Sequence, residues 1–133
     1  IELNARSNYE WTAFMLTCYN GQKALVQLLL DNSERIEVNA RDFFGRTAFM
    51  LTCSKGHMDV VKMLLDHPNI IELNARDNIG RTAFQDACCF GPKDVVKLLL
   101  EYSEVVDINI PKSFQVSEDI KNLIEFHSMR TQN

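Results

Sequence analysis

An all-α repeat solenoid, made of stacked antiparallel helix pairs joined by extended β-hairpin-like fingers, is the fold class this sequence predicts, and three observations carry the prediction. Asn4, Asn39, Asn74 and Asn109 recur every 35 residues, as do Thr12, Thr47 and Thr82, and Gly21, Gly56 and Gly91. Within each period the apolar residues return at helical spacing in two short runs separated by a glycine. Helix pairs this short cannot bury an apolar face alone, so neighbours must stack, and the three units present reach the number such arrays need.

The units span residues 1–35, 36–70 and 71–105, and a degenerate capping repeat, 106–133, keeps the register only at 107–109 and at Ser117. The middle unit shows the local logic. Thr47 is an N-cap residue, and Ala48, Phe49, Thr52 and Cys53 follow on one helical face until Gly56 ends the helix. Val60, Val61, Leu64 and Leu65 repeat the spacing with Lys62 and Asp66 outward, so a second helix runs antiparallel to the first. Pro68 and Asn69 stop it, and residues 71–80 alternate and carry Asn and Gly turn signals, as an extended finger does. Each first helix pairs one large residue, Phe14, Phe49 or Phe84, with small ones that let stacked backbones approach. In the capping repeat Ser117 is an N-cap, with Glu118 and Asp119 in the first turn and Ile120, Leu123, Ile124 and His127 on one face. The other end opens straight into a finger at Ile1, so the expectation is a segment cut from a longer array.

Composition narrows the function classes. A chain of 133 residues is one domain's length, and 46% hydrophobic with 24% charged residues suits a folded chain rather than a disordered one. Eighteen acidic against fourteen basic residues, interspersed to a net charge of −4, oppose nucleic acid, whose phosphates demand a basic stripe. No run approaches a membrane span and residues 1–6 form no signal segment, so the expected setting is intracellular, cytoplasmic or nuclear, with no membrane partner.

Little in the chain suggests chemistry. Cys18, Cys53 and Cys88 share one column a unit apart, about 10 Å between packed helices and too far for disulfides, so free core thiols are expected. Adjacent Cys88 and Cys89 alternate onto core and surface. Metal-ligand spacings, a phosphate-cradling glycine loop and a nucleophile elbow are all missing from the sequence. His57, His67 and His127 have no nucleophile in a repeated frame beside them, and read as structural or solvated. The chain is therefore read as a non-enzyme that needs no cofactor, metal or small-molecule substrate.

Residues 42–66, D-F-F-G-R-T-A-F-M-L-T-C-S-K-G-H-M-D-V-V-K-M-L-L-D, resemble an ankyrin repeat, and the same frame recurs over nearly all of residues 1–105. The family's T-P-L-H becomes Thr-Ala-Phe followed by Met15, Met50 or Gln85, so the resemblance implies that the histidine's hydrogen bond is gone and that packing replaces it. Two extra residues precede each finger, and Asn32 and Asn69 are expected to stand, in left-handed conformation, for the family's helix-ending glycine.

The columns that vary among copies while the frame stays fixed indicate where a partner binds. At the finger tips they hold Asn8, Tyr9 and Trp11, then Phe43, Phe44 and Arg46, then Asn78, Ile79 and Arg81. At the first-helix ends they hold Tyr19 and Asn20, Ser54 and Lys55, Cys89 and Phe90, with Asp86 where the other copies have leucine. The resemblance implies that finger tips and first helices form a concave surface gripping protein partners, and aromatics with arginine dominate such interfaces. The expected function is a monomeric protein-binding module whose unidentified partner presents an apolar ridge and acidic groups. Alternatives are a spacer or self-associating scaffold within a longer array, and the recognition domain of a larger enzyme. Arg6, Arg41 and Arg76 repeat identically, so they are assigned to finger structure. The resemblance also implies that Asn39 and Asn74 are candidate sites of asparaginyl hydroxylation.

Overall fold

Three helix pairs and a terminal helix make up the chain in the computed structural model, which describes residues 4–7 and 9–131. The finger-tip residue Asn8 and the outermost residues at both ends lie outside the described ones. The pairs are α1 (Ala13–Tyr19) with α2 (Lys23–Leu30), α3 (Ala48–Lys55) with α4 (Met58–Leu65), and α5 (Ala83–Phe90) with α6 (Lys93–Glu101). Helix α7 (Glu118–Thr131) follows, and among the described residues no strand forms.

Each first helix starts where its threonine allows. The hydroxyls of Thr12, Thr47 and Thr82 accept from the amides of Met15, Met50 and Gln85, and each threonine is extended at its cap. Gly56 closes α3 in the left-handed conformation that costs glycine least. Inside, α1 packs on α3 and α3 on α5, while α2, α4 and α6 form a second row behind them. Phe14, Phe49 and Phe84 are buried to within 2% of completely, each removal from water contributing about 2–3 kcal/mol.

Two side-chain ladders join the units. Asn39 Nδ2 donates to the Ile70 carbonyl (2.8 Å) while its Oδ1 accepts from the Glu72 amide (2.8 Å), and Asn74 does the same with Val105 and Asp107. Arg6 donates to the Arg41 carbonyl (2.8 Å), Arg41 to the Arg76 carbonyl, and Arg41 and Arg76 also close their own fingers at Gly45 and Gly80. Backbone carbonyls one unit away thus account for Arg6 and Arg41 in the fingers, and the carbonyl of its own finger for Arg76.

The fingers are hairpin-like only at their tips. Asp42 N donates to the Arg46 carbonyl and Asp77 N to the Arg81 carbonyl, both at 2.9 Å. Successive fingers are tied edge to edge by one backbone bond each, Phe43 N to the Tyr9 carbonyl and Asn78 N to the Phe44 carbonyl, and Asn78 Nδ2 also donates to the Phe43 carbonyl (3.1 Å). Gly45 is left-handed at φ 77°, and a Cβ there would stand 2.8 Å from the Asn78 amide nitrogen. In the first finger Glu10 takes the same region at φ 66°.

Three expectations need correction. Asn32 sits at φ −114°, and Glu10 alone among the described non-glycine residues has positive φ, so neither Asn32 nor Asn69 is a left-handed cap. A 3₁₀ turn at Ser33–Arg35 absorbs the extra length after α2 instead, and α4 ends at Leu65, ahead of Pro68. Packing replaces the family histidine at Met15 and Met50, both buried, but Gln85 is polar and satisfied. Its Oε1 accepts from the Thr82 amide and its Nε2 donates to the Asn109 carbonyl (3.1 Å).

The end unit departs from the frame as well. Ser117 does cap α7, its hydroxyl accepting from the Ile120 amide. By register α7 would continue the row of first helices, yet it packs along α6. Lys93 at the start of α6 pairs with Asp119 at the start of α7 (3.0 Å), and His127 bonds Ser103 beyond the end of α6 (3.1 Å), so the two run parallel. Phe114, from the loop before α7, lies beside Arg81 at the finger face.

Candidate functional site

The finger tips and first helices share one side, and a belt of contacts runs along it. It begins where Lys55 Nζ sits 5.0 Å over the Tyr19 ring and Tyr19 packs against Trp11 at 4.9 Å. Trp11 Nε1 donates to Asp42 Oδ2 (3.0 Å), which also accepts from Arg46 Nε (3.0 Å), and the Arg46 guanidinium lies 5.0 Å over Phe44. Phe43 meets Phe44 edge-on at 5.4 Å. A cleft of about 280 Å³ follows, lined by Phe44, Arg46, Met50, Ser54, Asp77, Asn78, Ile79, Thr82 and Asp86. Beyond it Arg81 approaches Asp86 (4.0 Å) and covers Phe90 at 4.9 Å.

Physical settings differ along the belt. Tyr9, Phe43, Phe44, Ile79 and Phe90 are exposed by 66, 69, 51, 73 and 72%, while Trp11 and Tyr19 are half-buried. Stacking on an aromatic face holds each cation in place without neutralising it, a gain of about 0.5–1 kcal/mol at exposed sites. Burial pushes the Asp86 carboxyl above its ordinary value; Arg81 pulls it back, Asp77 adds to the rise and Arg46 opposes it.

The belt unites most of the residues that vary between copies, and Tyr9 joins through its carbonyl bond to Phe43. Asn20 stands apart, exposed at the end of α1 with its amide bonded to Leu16. Asn39 and Asn74 lie away from this side as inter-unit clamps, with both ends of each amide engaged. Two members escaped the column comparison. Asp42 is the hub, its side chain fully buried and its Oδ1 accepting from the Phe44 and Arg46 amides, but its column, Ser7, Asp42 and Asp77, served only as the turn position from which the varied columns are counted. Phe114 stands 35 residues after Ile79, in the column of Tyr9, Phe44 and Ile79, but the comparison covered only the three full copies and left the capping repeat out.

The remaining polar groups have structural partners. His57 Nε2 donates to the Tyr19 carbonyl (2.8 Å) and His67 Nδ1 to the Met63 carbonyl (2.7 Å). Cys18, Cys53 and Cys88 are buried free thiols and Cys89 is half-buried. Burial pushes Cys18 and Cys88 up to about 12 and raises Cys53 as well. Among the described residues no cluster of His, Cys, Asp and Glu could hold a metal ion, and no helix is long and apolar enough to cross a membrane.

Stacked helix pairs, fingers tied edge to edge and a varied aromatic side define a repeat solenoid of the helix-pair and finger class. A family model described as ankyrin repeats in three copies matches residues 14–112, and the chain belongs to the ankyrin repeat family. Ankyrin repeats are generally protein–protein interaction modules and are typically not enzymes. A comparison with curated proteins gives no match.

Proposed function

We propose that this chain binds a segment of a partner protein across the finger and first-helix side, at the belt that runs from Tyr19 to Phe90. One observation carries the reading: Phe43, Phe44, Ile79 and Phe90 are large, apolar and more than half exposed at positions where the repeat frame makes no demand on them. Packing explains the residues that recur, whereas these differ between copies and stay in water at a cost that only a covering partner offsets. Arg46, Lys55 and Arg81 alternate with the aromatics, so the partner segment is apolar and carries acidic groups beside its anchors. The cleft beside Phe44 suits one anchoring side chain. In this reading the chain acts as a monomer in the cytoplasm or nucleus, where its four thiols stay reduced, and does no chemistry.

The test is selection of peptides from a random displayed library on the chain itself, followed by affinity measurement on a Phe44→Ser, Ile79→Ser, Phe90→Ser variant of matched Tm. Enriched peptides are expected to combine aromatic or aliphatic anchors with Asp or Glu. The variant is expected to bind them at least 100-fold more weakly, at about 1–2 kcal/mol for each lost anchor. Equal binding by the two proteins, or no enrichment, overturns the reading.

A further inference from the structure

The turn aspartate of the second unit is saturated with donors, and that of the third is not. Asp42 Oδ2 accepts from Trp11 Nε1 of the unit before it and from Arg46 Nε of its own, each at 3.0 Å. By the 35-residue register Asp77 would take these bonds from Arg46 and Arg81. Arg46 stays with Asp42, however, and Arg81 turns to Asp86 (4.0 Å) and the Phe90 ring. Asp77 Oδ1 still holds its turn by accepting from the Ile79 and Arg81 amides, but among the described residues no side chain donates to its Oδ2.

Asp86 is the second carboxylate on the cleft beside Phe44, and among the described residues it too accepts no hydrogen bond, although only 37% of its side chain is exposed. Leucine holds this column in the other units, and Leu51 is 1% exposed, so the frame has an apolar residue that packs here. Burial pushes the Asp86 carboxyl up, the sign of a charge kept where water solvates it poorly. Such departures from what the frame favours belong to functional sites. Ser54 gives its proton to the Leu51 carbonyl (3.0 Å), so its oxygen also can only accept. The walls are apolar, from Phe44, Met50 and Ile79, and the charge of Arg46 is balanced by buried Asp42. Two carboxylates therefore stand against one guanidinium, that of Arg81.

We infer that this cleft takes a basic side chain of the partner segment, a lysine or an arginine, its aliphatic stem between Phe44 and Ile79 and its N–H donors at Asp77 and Asp86. Charge complementarity identifies the occupant. An acidic or purely aliphatic anchor would cover two carboxylates and leave them unpaired, whereas a cation on a carbon stem matches both walls and floor. The acidic groups of the segment then face Lys55 and Arg81 on either side. The inference rests on docking at the belt, and adds to it the residue that the segment carries at its middle.

Peptides selected on the chain from a random displayed library are the probe, and they are expected to share a Lys or Arg among their apolar and acidic residues. One such peptide is made with Lys, Arg or norleucine at that place, norleucine keeping the stem without the charge. Each version is titrated at pH 7 onto the parent and onto Asp86→Asn. Norleucine is expected to bind the parent about 10-fold more weakly than the better of the two basic versions, the scale of one charge pair at a half-exposed site. Asp86→Asn is expected to lose about the same factor with the basic peptide and less than about 2-fold with norleucine, because a side chain acting only through the fold would weaken both alike. Equal losses with the two peptides overturn the inference. So do enriched peptides that lack a basic residue and ignore Asp86→Asn; if the Phe44→Ser, Ile79→Ser, Phe90→Ser variant still releases them, docking at the belt stands without this anchor. No enrichment overturns both.

Discussion

Asp42 and Asp86 stand on the same side of the molecule in opposite circumstances. Asp42 is buried but its oxygens accept four hydrogen bonds, from Trp11, Phe44 and, twice, Arg46. Asp86 borders the cleft with Arg81 4.0 Å away, and burial outweighs that partner, so its carboxyl holds its proton more tightly folded than unfolded. The stability it contributes is full below the unfolded value of 3.8 and is lost as pH rises through the higher folded value. Asp86→Asn is therefore expected to raise Tm at pH 7, with the gain shrinking as pH falls toward about 4; thermal melts across that range check it, and a pH-independent difference contradicts it. Asp86 was legible as an exception, since leucine holds the column in the other units. Its charge state was not, because desolvation depends on neighbours from the second and third fingers.

At the level of elements, helix starts read directly from the chain. A threonine hydroxyl three residues from a free amide needs only local geometry, and all three caps form as the residues imply. Helix ends are less local. Gly56 stops α3 as read, while Asn32 and Asn69 give way to turns set by how the long connection must reach the next finger. Gln85 shows a frame position changing its job: where Met50 fills space, Gln85 completes a capping box and reaches the Asn109 carbonyl. Gln85→Met restores the frame's residue, leaves the buried Thr82 amide without its acceptor, and is expected to cost about 1–3 kcal/mol in chemical denaturation. A neutral result would mean that the box is dispensable.

For the molecule as a whole, cooperativity is the open physical quantity, and the cysteines report it. Cys18, Cys53 and Cys88 lie one in each of α1, α3 and α5, buried, with thiols raised by desolvation and so unreactive while folded. Cys89 is half-buried on the same helix as Cys88. A disulfide reagent is expected to modify Cys89 first and the other three together, at a rate that follows global unfolding in denaturant. A stack of three pairs has too few interfaces for one unit to survive alone. Distinct rates for Cys18, Cys53 and Cys88 would instead show the units opening one at a time.

The period, the helix pairs, the buried phenylalanine column and the finger role of the recurring arginines were all written in the chain, because each rests on spacing within one unit or on a residue recurring in the next; that the recurring asparagines clamp one unit to the next was not. Family membership follows from that frame, and so does the list of columns free to serve a partner. The fold alone decided the rest. It drew Trp11 into a bond with Asp42, brought Phe114 over Arg81, laid α7 along α6 and left Leu16, Leu25 and Leu28 in water. Each of these depends on which side chains from different units come within a few ångströms, and a repeat states that neighbours meet without stating what meets at its ends.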